Sequence, residues 1–330
     1  MTNKNTKDKL AITLIPGKYG TRALFNRPWD DRMLKLLIEN NIQELAIMSD
    51  GFRHVGNLNF LTNLPHLKEL SLLDYYIPLK KNIPNIEGIY QLKELKELCN
   101  IHTNCNCEIR LNEFPQLESC SIRWRKKVKS LFECKNLKRL EISHYNEKSI
   151  TEILKLEKLE KLSIVFSQIT CLKGIGSLKK LNDLELWYMP KLESFDGLDE
   201  LTNLKSLIVH SCGAGKIRSI LPISKLVNLQ KLYLESIGKI DTFVPLQNLI
   251  NLERLNFPCD TNIIDGNLDF LDKMTWVKDI GFKNRKHYSR RREQYEPAKS
   301  ECKLDFNNIK PMNIRELIHF EGEQELYFDD

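Results

Sequence analysis

Histidine and cysteine lie close together at one place in the chain, in the stretch His102-Thr-Asn-Cys105-Asn-Cys107. Imidazole and thiolate bind zinc, but a structural zinc site needs four ligands, with two to four residues between paired cysteines. This stretch offers three ligands, separates its cysteines by one residue and has no second cluster elsewhere in the sequence. We therefore predict an irregular loop here, with no metal and no cofactor.

Signatures of catalysis are missing from the sequence. There is no G-x-S-x-G nucleophile turn, no H-E-x-x-H metalloprotease motif and no pair of carboxylates that differs from ordinary surface charge. The string Gly213-Ala-Gly215-Lys216 lacks the spacing of a phosphate-binding loop. We predict that the chain is not an enzyme.

Ring-bearing side chains recur just after short apolar segments, at intervals of about twenty residues. Exposed aromatic residues in a contiguous group mark interaction surfaces, and tryptophan and tyrosine are favoured interface anchors. The alternative is that these rings fill space beneath loops. The candidate binding residues are Tyr75, Trp124, His144, Tyr145, Phe166, Trp187, Tyr188, His210 and Tyr233.

Two basic segments are the remaining candidates for a binding function. Residues 123–129 hold two arginines and three lysines around Trp124, and residues 285–292 hold four arginines and one lysine. A nucleic-acid site would need both segments on one face with stacking aromatics. Binding of an acidic protein is a second alternative, and a solvated loop is the third.

All these residues are positioned by a repeat of apolar side chains. The pattern is an apolar residue, any two residues, a second apolar residue, any one residue and a third apolar residue, as in Leu159-Leu162-Ile164. Ten intervals between residues 42 and 277 give a mean repeat of 23.5 residues. Clear copies begin at residues 42, 67, 117, 137, 159, 181, 204, 229, 252 and 277, and a weaker copy begins at 95.

The spacing within each repeat predicts a short strand and a return segment. The second and third apolar residues are two apart, so they share the buried face of a strand, and the residues beside them point into solvent. Further on, Ile169, Leu172, Ile175 and Leu178 recur every three residues. That period favours a 3₁₀-like or irregular return rather than an α-helix. Neighbouring repeats must cover one another's leucines, because one unit cannot bury its own.

This repeat resembles the leucine-rich-repeat superfamily over residues 42–284. The 22-residue units from Leu137 to Lys180 are most similar to the short class of bacterial internalins and of the regulatory subunit of type 1 protein phosphatase. The resemblance implies an α/β solenoid with a curved parallel sheet, about 11–12 repeats, and protein recognition by its concave face. One departure is the family's asparagine, three residues after the third apolar position. That position holds Tyr145, Ser167, Met189, Cys212 and Ile237 in five consecutive repeats.

Solenoid ends need caps, because a terminal repeat would otherwise expose its core. Residues 9–15 predict a strand and residues 32–39 a helix, so we expect a β-α cap over 1–41. We expect the repeat array over 42–284. A basic insertion and a C-terminal cap, with a further strand near Ile314, are expected over 285–330.

Composition limits the class of protein. Lys and Arg number 50 against 44 Asp and Glu, a surplus of +6 that is too small to indicate a dedicated nucleic-acid binder. The first residues lack a secretion signal, no apolar stretch is long enough to cross a membrane, and nine scattered cysteines suggest free thiols. We predict a monomeric cytoplasmic module that binds a protein partner through a concave face and its aromatic rim.

Overall fold

The computed structural model describes residues 12–25, 31–48, 58–73, 85–101 and 107–295. The chain divides into two compact units. Unit 1 holds the described residues up to Ile122, and unit 2 begins at Arg123. The predicted boundaries at residues 41 and 284 remain predictions, since the division falls inside the repeat array.

Unit 1 contains an α-helix and a set of short strands. Helix α1 spans Asp31–Glu39, and its apolar residues Met33 and Leu37, four apart, are both buried. Strands β2 to β6 pair in parallel, each with the next in sequence, whereas β1 pairs antiparallel with β2. The strands are β1 (Ile12–Pro16), β2 (Thr21–Phe25), β3 (Glu44–Met48), β4 (Glu69–Leu73), β5 (Glu97–Ile101) and β6 (Ser119–Arg123).

Unit 2 repeats one coil, a strand followed by a return, along its whole described length. Strands β7, β8, β9, β10, β11, β13 and β15 pair in parallel in that order, and β12 and β14 form a separate short pair in the returns. They are β7 (Arg139–Ser143), β8 (Lys161–Val165), β9 (Asp183–Trp187), β10 (Ser206–His210), β11 (Lys231–Glu235), β12 (Lys239–Ile240), β13 (Arg254–Phe257), β14 (Asn262–Ile263) and β15 (Asp279–Phe282).

The returns are short 3₁₀ helices, as the three-residue apolar period predicts. Their apolar residues complete the core with the strand leucines; Leu162, Ile164, Ile169 and Leu172, for example, are fully buried. Each such side chain contributes roughly 1.5–3 kcal/mol relative to exposure. The helices are Asn59–Asn63, Glu87–Gln91, Leu111–Glu113, Lys126–Glu133, Ile153–Lys155, Ile175–Ser177, Leu198–Glu200, Gly213–Gly215, Ile223–Lys225, Val244–Asn248, Asp269–Lys273 and Arg292–Gln294.

Side chains on the open face of the strands, opposite the core, are more buried than the sequence suggests. The expectation that they point into solvent is wrong for Glu141, Ser163 and Glu185, which are buried. Parallel strands lie about 4.8 Å apart, so neighbouring side chains in register cover one another. Charges there are paired: Lys161 Nζ lies 3.0 Å from Asp183 and 2.8 Å from Glu185.

In unit 1, charged side chains on the open face of the strands are also buried and paired. Glu44 and Glu69 are buried and lie in register on β3 and β4. The guanidinium of Arg22 on β2 bridges them, at 2.6 Å from Glu44 and 2.5 Å from Glu69. A buried carboxylate is stable only with such a partner, so Arg22 compensates both charges.

An asparagine ladder is present, but at the other end of the strands from the one where the family places it. The side-chain amides precede strands β10, β11 and β13 and each donates to a carbonyl of the preceding coil. The bonds are Asn203 to Lys179 at 2.9 Å, Asn228 to Thr202 at 2.8 Å and Asn251 to Val227 at 2.8 Å. At the next coil Trp276 Nε1 donates to the Leu249 carbonyl at 3.0 Å.

Residues 284–295 pack against the last described coils as a polar end cap. Arg285 donates to the carbonyls of Cys259 and Thr261. The Tyr288 hydroxyl accepts from the Ile263 amide at 3.0 Å, and Ser289 Oγ accepts from the Leu268 amide at 2.9 Å. These side chains satisfy backbone groups that an uncovered solenoid end would leave unpaired.

Several predictions meet the structure directly. The N-terminal strand and helix are confirmed as β1 and α1, although β2 was not predicted. The strand near Ile314 lies outside the described residues. Among the cysteines that the structure describes, six are free, but Cys107 is disulfide-bonded, so the expectation of free thiols is wrong there. No helix in the described ranges is long and apolar enough to cross a membrane.

Candidate partner-binding surface

After strands β7 to β11, the three residues that follow the third apolar position have three different environments. The first continues the strand on the open face, as Val165 and Trp187 do. The second leaves the strand with a positive φ, as Phe166 and Tyr188 do. The third turns into the core, where Tyr145, Ser167, Met189, Cys212 and Ile237 are all buried.

The second of these positions forms a ladder of left-handed residues. φ lies between 50° and 55° at His144, Phe166, Tyr188, Ser211 and Ser236, the residues that follow strands β7 to β11. The backbone amides of the first four donate to the last carbonyl of the next strand, at 2.8 to 3.0 Å. Since these five successive coils share the conformation, it belongs to the fold of the repeat in this part of the chain. What differs between these coils is the side chain that the position presents.

Aromatic rings occupy this ladder in three consecutive coils and continue onto β9 and β10. We call the five rings that contact in series the aromatic strip. Phe166 and Tyr188 stack almost parallel, with centroids 4.8 Å apart and planes 12° apart. Phe166 is 38% exposed. The strip consists of His144, Phe166, Tyr188, His210 and Trp187, with centroid separations of 5.3, 4.8, 4.9 and 5.0 Å.

His144 begins the strip as a neutral ring. Burial, followed by the positive charge of Arg123, lowers the pKa of His144 to about 4. Its Nδ1 atom is buried and has no hydrogen-bond partner among the residues that the structure describes. The imidazole is therefore uncharged at neutral pH and packs on Phe166 as an aromatic surface.

Glu235 on β11 closes the other end of the strip with a negative charge. His210 Nδ1 lies 3.0 Å from Glu235 Oε2, at ion-pair distance. The Tyr233 hydroxyl donates to the same oxygen and Cys259 Sγ donates to Oε1 at 3.1 Å. Burial alone would raise the pKa of Glu235, but these contacts lower it to about 2, so the carboxylate is ionised at neutral pH.

Trp124 and Tyr145 do not belong to this surface, and the expectation that they are exposed is wrong. Trp124 is 7% exposed and Tyr145 fully buried. Together with Phe132 they form a buried aromatic cluster, with Trp124 centroids 5.2 Å from Phe132 and 5.1 Å from Tyr145. Trp124 Nε1 also donates to Asn146 at 2.8 Å. The alternative of structural filler therefore describes these two rings.

The remaining predicted binding residues differ in exposure and in the contacts they make. The expectation of exposure is also wrong for Trp187, which is buried and stacks on His210 with ring centroids 5.0 Å apart. Tyr233 is half-buried and points its hydroxyl at Glu235. Tyr75 lies outside the described residues. Sequence reasoning missed Phe132 and Glu235. The distance from the third apolar residue is a signal that could have identified Tyr145 as buried, but it does not identify Trp124, which shares the position of Phe166.

The two basic segments differ sharply. Arg290 makes ion pairs with Asp269 at 2.8 Å and Asp272 at 2.6 Å, and Arg285 caps backbone carbonyls. Residues 285–292 are thus committed largely to the end cap. In the other segment Arg123, Lys126, Lys127 and Lys129 are exposed. A nucleic-acid face that needs both segments loses support.

Other possible sites have weaker geometry. Within the described ranges no group of three or more His, Cys, Asp or Glu is arranged to hold a metal ion. The string Gly213-Ala-Gly215 forms a 3₁₀ turn. An open cavity of about 610 Å³ lies among the returns near Phe195 and Pro222. Its charges are partly neutralised, since Arg218 pairs with Asp241 at 2.5 Å.

Comparisons with known proteins identify the architecture. No model of a protein family and no curated protein matches the sequence. Among solved structures, an internalin (InlF) from Listeria monocytogenes superimposes with a TM-score of 0.54 and 18% identity, covering 73% of this chain and 72% of that one. A leucine-rich-repeat protein, LIC12759, from Leptospira interrogans gives 0.56 and 20%, covering 78% of this chain and 65% of that one, just under two thirds. At these identities the likeness is one of fold, and this chain has the leucine-rich-repeat fold.

Proposed function

We propose that this chain is a non-catalytic protein–protein interaction module that binds its partner with the aromatic strip. The observation that carries the proposal is the contiguous series of five rings, with Phe166 and Tyr188 stacked at its centre. Aromatic anchors dominate the binding energy of protein interfaces. A solvent-accessible stack of this kind is unusual on a surface with no partner.

Backbone conformation adds a second argument for the strip. A left-handed φ costs an ordinary residue of the order of 1 kcal/mol, and asparagine or glycine occupies it more easily. His144, Phe166 and Tyr188 place rings there in three successive coils, whereas Ser211 and Ser236 follow in the next two. The fold needs the conformation but not the rings, so the rings support a role in binding.

Asparagine substitutions test this proposal without disturbing the ladder. Phe166→Asn/Tyr188→Asn removes both central rings and keeps a residue that tolerates the left-handed region. Ser211→Asn/Ser236→Asn is the matched control, because it alters the same ladder positions two coils away. Affinity capture from a lysate of the cells that produce the protein, quantified by mass spectrometry, compares the two with the wild type.

We expect the wild type and the serine control to enrich the same protein, and the aromatic variant to lose it. Equal enrichment by all three proteins, or no enriched protein with the wild type, would overturn the proposal. Melting temperatures of the variants confirm that each one is folded.

The compartment is part of the same proposal. We propose a cytoplasmic monomer, supported by six free cysteines among the described residues, of which Cys171 and Cys259 are exposed. The disulfide at Cys107 is the observation against it. Alkylation of thiols at the moment of cell lysis, followed by mass spectrometry, decides: we expect Cys171 and Cys259 alkylated, and their recovery as disulfides would contradict the proposal.

A further inference from the structure

The exposed part of the basic segment 123–129, which we call the basic end, is held in place by buried side chains. Trp124 anchors it, because its ring is buried against Phe132 and Tyr145. The following 3₁₀ helix, Lys126–Glu133, buries Val128, Leu131 and Phe132 and leaves its lysines outside. Three of the exposed cations of the basic end, Arg123, Lys126 and Lys129, make no ion pair with a carboxylate of the described residues.

The basic end adjoins the aromatic strip. The Trp124 amide donates to the Ser143 carbonyl at 2.8 Å, which places Trp124 beside the end of β7. The next residue after Ser143 is His144, the first ring of the strip, and Arg123 is close enough to act on its imidazole. Arg123 and the rings therefore form one continuous surface within unit 2, and Lys126 and Lys129 follow Arg123 closely in the chain.

The charge of this surface changes from positive at one end to negative at the other. The surface begins with the cations of the basic end, continues over the rings of the aromatic strip and finishes at the ionised Glu235, where Asp260 follows the next strand. From His144, after β7, to Glu235 on β11 the surface spans four strand intervals, or roughly 19 Å, which about six residues of extended peptide would cover. A partner that is acidic along its whole length would meet Glu235 unfavourably, whereas one that is acidic only at one end would not.

We propose that this surface takes an extended protein segment whose acidic residues lie on the basic end and whose apolar residues lie on the aromatic strip. This inference rests on the proposed function and specifies its partner. A nucleic acid fits less well, because its uniformly charged backbone would run from the basic end towards Glu235. The second basic segment does not extend the surface, because Arg290 is already paired.

Fluorescence anisotropy with the full chain tests the inference. The probe is the labelled peptide Asp-Asp-Glu-Glu-Leu-Phe-Leu, compared with Lys-Lys-Lys-Lys-Leu-Phe-Leu and with a single-stranded oligothymidylate of similar length. The basic-end variant, Arg123→Ala/Lys126→Ala/Lys129→Ala, removes three cations of the basic end. The matched control Lys173→Ala/Lys179→Ala/Lys180→Ala removes three exposed cations from a return segment.

We expect the acidic probe to bind and the basic-end variant to weaken it roughly tenfold, since three exposed charge pairs each contribute a small factor. The control variant should change the affinity for the acidic probe less than about twofold. Added salt should weaken binding of the acidic probe to the wild type. Absence of binding, or equal weakening by both variants, would overturn the inference. Tighter binding of the oligothymidylate, lost in the basic-end variant, would overturn it in favour of nucleic acid.

The two experiments distinguish failure of the proposed function from failure of the inference about the acidic segment. If Phe166→Asn/Tyr188→Asn abolishes capture of the cellular partner while the acidic probe does not bind, the strip remains a binding surface and the acidic partner is wrong. If the probe depends on the basic end while the same double variant leaves capture and probe affinity unchanged, the basic end binds acidic residues but the strip is not the binding surface. The proposed function and the placement of apolar residues on the strip are then both wrong.

Discussion

Tyr145 and Phe166 differ by one position within the repeat, and that position decides what each ring does. Phe166 follows its third apolar residue, Ile164, by two and lies on the surface, 38% exposed. Tyr145 follows Ile142 by three and is completely buried. The left-handed residue between strand and return turns the next side chain towards the core. For these two rings, exposure therefore follows the position in the repeat. Trp124 holds the same position as Phe166 but lacks the left-handed φ and is buried.

A hydroxyl deletion tests the filler role of Tyr145. Its hydroxyl is buried without a hydrogen-bond partner among the described residues, a state that costs about 1–3 kcal/mol. Tyr145→Phe should therefore leave the free energy of unfolding unchanged or raise it, whereas Tyr145→Ala should lower it by about 3–5 kcal/mol. Urea unfolding measures both. A loss above about 1 kcal/mol in Tyr145→Phe would mean that the hydroxyl is satisfied.

Titration of His144 makes stability depend on pH. Burial and Arg123 lower the folded pKa of His144 to about 4, against an ordinary value of 6.5. Between these values the unfolded chain binds more protons, so the free energy of unfolding falls as the pH is lowered. His144→Asn should flatten this dependence between pH 7 and pH 5, because asparagine does not titrate and tolerates the left-handed backbone.

Urea unfolding of both proteins at the two pH values gives the comparison. The other histidines are common to both and cancel in the difference. Glu235, with a pKa of about 2, loses its contribution only below its ordinary value of 4.5, outside this window. The same fall in stability in the variant would show that His144 is not the titrating group.

At the scale of elements, the strands and returns were predictable and their connections were not. The spacing of Leu159, Leu162 and Ile164 is enough to place β8 and its buried face, and the three-residue period places the 3₁₀ return. The sequence could not reveal that asparagine amides join coils before the strands, because Asn228 has its partner, Thr202, 26 residues away. The disulfide of Cys107 also escaped prediction, since spacing alone does not pair cysteines.

Removing one side-chain amide measures how much the asparagine ladder contributes to the free energy of unfolding. Asn228→Ala deletes the hydrogen bond to the Thr202 carbonyl and should lower the free energy of unfolding by about 1 kcal/mol. Asn248→Ala is the control, because that side chain is exposed and makes no hydrogen bond within the described residues; it should change stability by less than about 0.5 kcal/mol. Equal losses would show that the ladder adds nothing beyond helix and turn preference.

At the scale of the whole molecule, the sequence places positive charge without showing what it does. The net charge of +6 and two basic segments allowed a nucleic-acid scaffold. The structure separates the segments, because Arg285 and Arg290 cover the last coils while the basic end adjoins the rings. Contacts between residues distant in sequence make that distinction, so no local pattern of arginines and lysines predicts it.

The end cap should matter for the stability of unit 2 more than its exposure suggests. Tyr288→Phe leaves the buried Ile263 amide without its acceptor, and we expect a loss of about 1–3 kcal/mol. Tyr295→Phe is the control, since its hydroxyl contacts the exposed Asp272 and should cost less than about 1 kcal/mol. Thermal unfolding compares them, and a cost for Tyr295→Phe as large as that for Tyr288→Phe would contradict this view of the cap.

Site-specific photo-crosslinking tests the central claim, that the aromatic strip is where the partner binds. Benzoylphenylalanine is introduced in place of Phe166 in one protein and of Ile250 in another. Ile250 is the more exposed of the two, at 66% against 38%, so collisions without specificity would favour it. We predict a crosslinked partner protein with the probe at position 166 and none at position 250. A crosslink at position 250 alone, or equal yields at both positions, would contradict the account.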